Sequence, residues 1–393
     1  MKNYYKLALE RHGQWRGKVK VDLACPLENH DDLSVAYTPG VAEPCRKIQI
    51  NPLEAYKYTW KNNIVAIISD GTAVLGLGDI GPEAALPVME GKAMLFKRFA
   101  GVNAVPVVLD TKDTEEIIKV VKAIAPTYGG INLEDISSPR CVEIERRLID
   151  ELDIPVFHDD QHGTAIVATA ALINSFRITG KDPADCVAVV SGAGAAGSSI
   201  VKMIKELGIG DIYCFDSKGV LSSKNYEGYN FVKREILSIT NKKDEDLTLR
   251  EAMARADIFI GVSSAGIVDA DMIKSMKKDP VVLAMANPEP EIGYNEAVKA
   301  GARIVGTGRS DFPNQINNVL AFPGLFKGAL ECGATKITEE MKMAAATGLA
   351  YFVKDEDLNE EHIIPEVFEE GIAEMVAEKV KDCAIRSGHI RGM

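Results

Sequence analysis

Short apolar runs that stop at acidic residues alternate with stretches whose apolar positions recur every three or four residues. Ile64-Val65-Ala66-Ile67-Ile68 ends at Ser69-Asp70, and Val105 to Leu109 ends at Asp110. Ile131-Asn132-Leu133 ends at Glu134-Asp135, and Ile154 to Phe157 ends at His158-Asp159-Asp160. β-branched residues and lengths of a few positions make these runs buried strands. Between them, Met89, Leu95, Phe96 and Phe99 mark one helix (83–99), and Ile117, Val120, Val121 and Ile124 another. Strand–helix alternation predicts a mainly parallel sheet, whose ligands gather at the carboxyl ends of the strands. After an Ala-rich helix over 164–175 the pattern restarts, with strands at 186–190, 212–215, 258–262, 281–286 and 304–305. Ile372, Met375, Val376 and Val380 then predict closing helices within 338–383, where the methionines read as core packing. The fold class is α/β: an N-terminal α/β domain over 1–162, a Rossmann-type domain over 163–335, and a C-terminal helical segment over 336–393 that packs on the core.

Composition narrows the function. The 393 residues carry 57 acidic and 45 basic side chains, a net charge of −12, with 46% apolar residues. Such a chain buries a sizeable core and repels nucleic acid and anionic membranes, so no nucleic-acid or membrane partner is expected. Seven scattered cysteines without a CxxC pair exclude a zinc finger or disulfide framework. The opening residues Met1 to Lys6 lack a signal peptide's apolar stretch, and no apolar run reaches the ~18 residues of a membrane span. A cytoplasmic location is expected.

Three groups of residues carry candidate chemistry. Gly192-Ala193-Gly194-Ala195-Ala196-Gly197 follows a predicted strand and opens a helix with Ile200, Met203, Ile204 and Leu207 on one face. That context suits a pyrophosphate at a helix N-terminus, and Asp216, closing the next strand, suits a ribose hydroxyl. NAD is therefore expected, with NADP possible through Lys218 or Lys224. Glu134, Asp135, Asp159 and Asp160 stand at strand ends, and their convergence would require a cation; oxygen ligands favour Mg²⁺ or Mn²⁺. His158 and His162 have the spacing of a zinc helix, but Pro155 and the β-type residues before it argue for a strand end rather than a helix. Lys92, among apolar helix positions, has the setting in which burial lowers an amine's pKa and makes a general base. Tyr37 precedes the Pro39-Gly40 turn, which would hold a phenolic proton donor on a fixed loop.

In these motifs the chain resembles malic enzyme in its short microbial form, over nearly its whole length. The resemblance rests on Tyr37-Thr38-Pro39-Gly40-Val41, Asp70-Gly71 with Gly76-Leu77-Gly78-Asp79, Gly91-Lys92, Glu134-Asp135, Asp159-Asp160 with Gly163-Thr164-Ala165, the GAGAAG turn, Ala286-Asn287-Pro288, and Asn317-Asn318-Val319 before Phe322-Pro323-Gly324. It implies oxidative decarboxylation of L-malate to pyruvate and CO₂, by way of oxaloacetate, with reduction of NAD(P). Tyr37 would then be the general acid and Lys92 the base. Glu134, Asp135 and Asp160 would bind the metal, with Asp159 supporting the metal or the lysine. Asn287, Asn317 and Asn318 would contact the malate carboxylates, Asn287 lying against the coenzyme too. A homodimer is expected, and the unfused form of the family, since no phosphotransacetylase-like stretch follows residue 393. Larger relatives carry a substrate-gripping arginine where this chain has Thr72-Ala73-Val74-Leu75. The rival readings are an oxaloacetate decarboxylase or malolactic enzyme on the same scaffold and a catalytically silent nucleotide sensor.

Overall fold

The computed structural model describes residues 4–74 and 76–392, so Met1 to Asn3, Leu75 and Met393 lie outside the described residues. Four parallel strands form the first sheet: β1 (Ile64–Ser69), β2 (Asn103–Val108), β3 (Gly130–Leu133) and β4 (Val156–His158), in the order β2-β1-β3-β4. The second sheet contains β5 (Val187–Ser191), β6 (Asp211–Asp216), β7 (Gly219–Val220), β8 (Ile258–Gly261), β9 (Val281–Ala284) and β10 (Ile304–Thr307), in the order β10-β9-β8-β5-β6-β7. Its strands are parallel except β7, which pairs antiparallel to β6. In both sheets the first strand is central and the chain leaves it first to one side, then to the other. That reversal opens a crevice at the strand ends, where ligands bind in doubly wound sheets.

The expected strands are present, and β7 is an addition: two residues are too short to show a period. The expectation of a strand end through His162 is corrected. β4 stops at His158, whose ring nitrogen caps a helix running unbroken from Asp159 to Thr179. Pro155 precedes the strand's last residues and does nothing to delay that helix. Of its 21 residues, 13 are buried, because the helix runs through the middle of the molecule. It packs on Ala195–Glu206 behind the glycine turn and on Glu339–Phe352 of the C-terminal segment. Phe322–Glu331 packs on Ile372–Ser387, and one continuous apolar core joins both sheets to these helices. Phe96, Phe157, Phe322 and Phe326 meet edge to face at its centre.

The first sixty-odd residues behave differently. From Tyr4 through Asn63 no residue is buried, although the stretch holds five helical segments of four residues or more. Among the described residues no helix is long and apolar enough to cross a membrane.

Candidate active site

The strand-end carboxylates converge as their register requires. β3 delivers Glu134 and Asp135 beside the Asp159-Asp160 pair that follows β4. A ligand oxygen from each of Glu134, Asp135 and Asp160 lies within 4.8 Å of the others. Asp135 takes a left-handed backbone conformation (φ 53°), and its amide donates to Asp160 Oδ2 at 2.8 Å. Asn132 donates to Glu134 Oε2 at 2.8 Å. One oxygen has nothing to bond: Asp135 Oδ2 is buried without a hydrogen-bond partner. Burial, reinforced by Asp160, pushes Asp135 up to about 8, and burial pushes Glu134 well above the ordinary carboxylate range. Three mutually repelling carboxylates with an orphaned oxygen fit a hard divalent cation. All donors are oxygen, as Mg²⁺ or Mn²⁺ prefers.

Lys92 stands beside this cluster. The helix Pro82–Ala100 buries it, and Nζ lies 2.6 Å from Asp159 Oδ2, 2.8 Å from Glu134 Oε1 and 4.3 Å from the centre of the Phe322 ring. Burial alone would lower its pKa, but Asp159, Glu134 and Asp160 outweigh that and raise it. The expectation of a lysine lowered by its apolar stripe is therefore corrected: the helix pattern showed the burial and hid the facing carboxylates. Asp159 is fully buried, accepts from Lys92 and from Asn318 Nδ2, and keeps its other oxygen unpaired.

Across the crevice lies the glycine turn. A Cβ on Gly197 would sit 1.6 Å from the Gly192 carbonyl oxygen and one on Gly192 2.6 Å from that of Val262, whereas nothing lies within 4 Å of Gly194. Two glycines thus close the turn and the third leaves room for a ligand. The helix Ala195–Glu206 opens with no side-chain cap, so its first amides remain available to an anion. A cavity of about 550 Å³ joins the two halves, lined by Asp135 and Asp160 on one side, by Ala195 and Ala196 on another, and by Asn287, Asn317 and Asn318. Asp216 ends β6 as expected, but both its oxygens are engaged: the Lys218 amide donates to one at 2.7 Å and Lys233 Nζ to the other at 2.5 Å. Lys224, expected near the ribose, pairs with Asp246.

Tyr37 is not brought to this cleft. It lies in the N-terminal segment, 66% exposed, and does not line the cavity. Sequence reasoning also missed Glu145, a buried carboxylate that accepts from the His158 amide, Gln161 Nε2 and His162 Nε2. Burial pushes Glu145 up, but His162, with Lys342 behind it, holds it at about 2. Its signal was an acid on the otherwise apolar stripe Cys141, Ile144, Leu148. Arg140, paired at 2.7 Å with the buried Asp70 at the end of β1, was missed as well.

Fold and cleft together define a two-domain oxidoreductase: a dinucleotide-binding sheet facing an acidic, lysine-bearing site. Residues 16–149 match the family described as "Malic enzyme, N-terminal domain", and residues 161–385 match "Malic enzyme, NAD binding domain". The chain is 51% identical over 384 residues to the bifunctional malic/malolactic enzyme of Bacillus subtilis (strain 168), covering 98% of this chain and 94% of that one. It is 45% identical over 390 residues to the NADP-dependent malic enzyme of Escherichia coli (strain K12), covering 95% of this chain and 51% of that one. The crystal structure of the NAD-dependent malic enzyme of Thermotoga maritima superposes with a TM-score of 0.91 at 46% identity, covering 95% of this chain and 98% of that one. The chain belongs to the malic enzyme family, and it is an NAD- or NADP-dependent enzyme of that kind.

Proposed function

We propose that this protein oxidatively decarboxylates L-malate to pyruvate and CO₂, using NAD in preference to NADP and requiring Mg²⁺ or Mn²⁺. The observation that carries the reading is Lys92, buried 2.6 Å from Asp159 and 2.8 Å from Glu134, beside the cleft that Asp135 and Asp160 share with the glycine turn. Lys92 takes the proton from the substrate's 2-hydroxyl as hydride leaves C2 for the nicotinamide. A cation shared by Glu134, Asp135 and Asp160 would relieve the pull of Glu134 and Asp160 on Lys92, leaving Asp159 as its charged neighbour. A cation held there would polarise the 2-oxygen and stabilise the enolate left when CO₂ departs. Asp159 receives the lysine's charge, and Asn318 holds Asp159. Asn287 and Asn317 line the cavity as the substrate's carboxylate partners, and Tyr37, which does not line it in this chain, is assigned the protonation of the enolate at C3 by the family resemblance alone. Asp216 disfavours a 2′-phosphate, although Lys233 offsets part of its charge.

The test is NAD(P)H formation at 340 nm from malate, with each coenzyme, with Mn²⁺ and with a chelator. NADH formation that stops under chelation and returns with Mn²⁺ supports the reading; turnover in a metal-free preparation overturns the cation's part. A second reading is favoured by the name of the Bacillus subtilis relative: a malolactic reaction on the same residues, seen as lactate formed without net NADH. The protein is expected to act as a homodimer in the cytoplasm.

A further inference from the structure

The loop that carries Asn287 is held by a buried acid to which neither the sequence motifs nor the proposed reaction gives a part. Glu291 is fully buried. Its Oε1 accepts from the Ser263 amide at 2.7 Å and from the Ser263 hydroxyl at 3.2 Å, and its Oε2 accepts from the Ala286 amide at 3.1 Å. All three donors are neutral, so hydrogen bonds alone offset the solvation this group loses on burial. An apolar side chain of the same size would fill the space without that loss, so the use of the carboxyl lies in what it holds. Glu289, two residues earlier, is the contrast: its side chain is 68% exposed and pairs with Arg309 at 3.6 Å.

Glu291 holds the ends of neighbouring strands. Ser263 follows β8 and Ala286 follows β9, and these parallel strands lie side by side in the second sheet. The Ser263 hydroxyl also bonds Ser191 Oγ at 2.9 Å, at the end of β5 and one residue before the glycine turn. The backbone fastens a further loop: the Val268 amide donates to the Glu291 carbonyl and the Gly266 amide to the Pro290 carbonyl, each at 3.1 Å. The fit is close. A Cβ on Gly261, the last residue of β8, would sit 2.3 Å from the carboxyl carbon of Glu291, so the strand must end in glycine for the acid to seat. Ser263, Ala286 and Asn287 line the cavity between the two halves, and Glu291 stands behind them. Asn287 Nδ2 donates to the Met285 carbonyl at a long 3.4 Å, so the direction of that side chain depends on the backbone that Glu291 fixes.

We propose that Glu291 is a positioning residue that presets the coenzyme side of the cleft, stapling the loops after β8 and β9 so that Asn287 meets the substrate in a fixed orientation. The proposal rests on the assignment of Asn287 as a substrate contact, and the test separates the two ideas. Glu291→Gln keeps the shape but accepts at one oxygen only, turning its NH₂ toward one of the two amides. It should raise the malate KM about tenfold, and likewise the dissociation constant of the reduced coenzyme, NADH or NADPH, read by fluorescence without turnover. kcat should fall by a smaller factor, and Glu289→Gln should match the wild type. A lower melting temperature with both constants unchanged is the mark of a merely structural residue and overturns the proposal. Asn287→Ala should raise the malate KM by a similar factor, and the double variant should be no worse than Asn287→Ala; effects that multiply overturn action through Asn287. A raised KM in Asn287→Ala with none in Glu291→Gln overturns the staple and leaves the role of Asn287 standing. An unchanged KM in Asn287→Ala overturns both. On the unaltered protein, the Ser263 and Ala286 amides should exchange slowly with deuterated solvent before any coenzyme is added. Exchange that is fast and slows only with coenzyme overturns the presetting, whether or not the variants fold.

Discussion

At the scale of single residues, the site is governed by which charges face which. Lys92 illustrates it: an amine that burial would neutralise is kept charged by Asp159, Glu134 and Asp160. Asp216 is a second case, because Lys233 sits at 2.5 Å from the carboxylate meant to repel a 2′-phosphate. Removing that lysine as Lys233→Ala should shift the ratio of kcat/KM values about tenfold further toward NAD, which parallel assays with both coenzymes will read. Glu145 is the third. Its folded pKa of about 2 lies below the roughly 4.3 of an unfolded glutamate. The stabilisation is therefore present above that unfolded value and disappears as pH falls through it toward 2. Glu145→Gln should lower stability at pH 7 by about 3 kcal/mol, since His162 and the His158 amide lose a buried partner. Melting curves of both proteins between pH 7 and 3 should converge at the acidic end.

At the scale of elements, the glycine turn separates two kinds of glycine that the sequence writes alike. Gly197→Ala would drive a methyl into the Gly192 carbonyl and should destabilise the fold by ~1–3 kcal/mol. Gly194→Ala meets no protein atom, so its melting temperature should hold while the coenzyme KM rises about tenfold. Thermal unfolding and a coenzyme titration on both variants distinguish the two roles. Strands were legible because β-branched runs such as Ile64 to Ile68 are short, apolar and end at carboxylates. The fingerprint was legible because its strand and helix flank it in sequence. The start of the Asp159–Thr179 helix was hidden: Asp159 and Asp160 are good first-turn residues, but Pro155 drew attention to the strand. The direction of the Lys92 pKa depends on Glu134 and Asp159, far along the chain, which no local pattern reports.

At the scale of the whole molecule, the helix Asp159–Thr179 begins with carboxylates of the acidic pocket and lies against Ala195–Glu206, whose first turn carries no side-chain cap. Thirteen of its residues are buried, so it shifts as one body or stays still. Two ligands that seat at opposite contacts of one stiff strut share its thermodynamics. Mn²⁺ should tighten NAD, and NAD should tighten Mn²⁺, by one and the same factor, about fivefold or more. Calorimetric titration of each ligand with and without the other measures both factors. The protein would then read the presence of its cation as readiness to take up coenzyme, a form of AND logic written into a single helix.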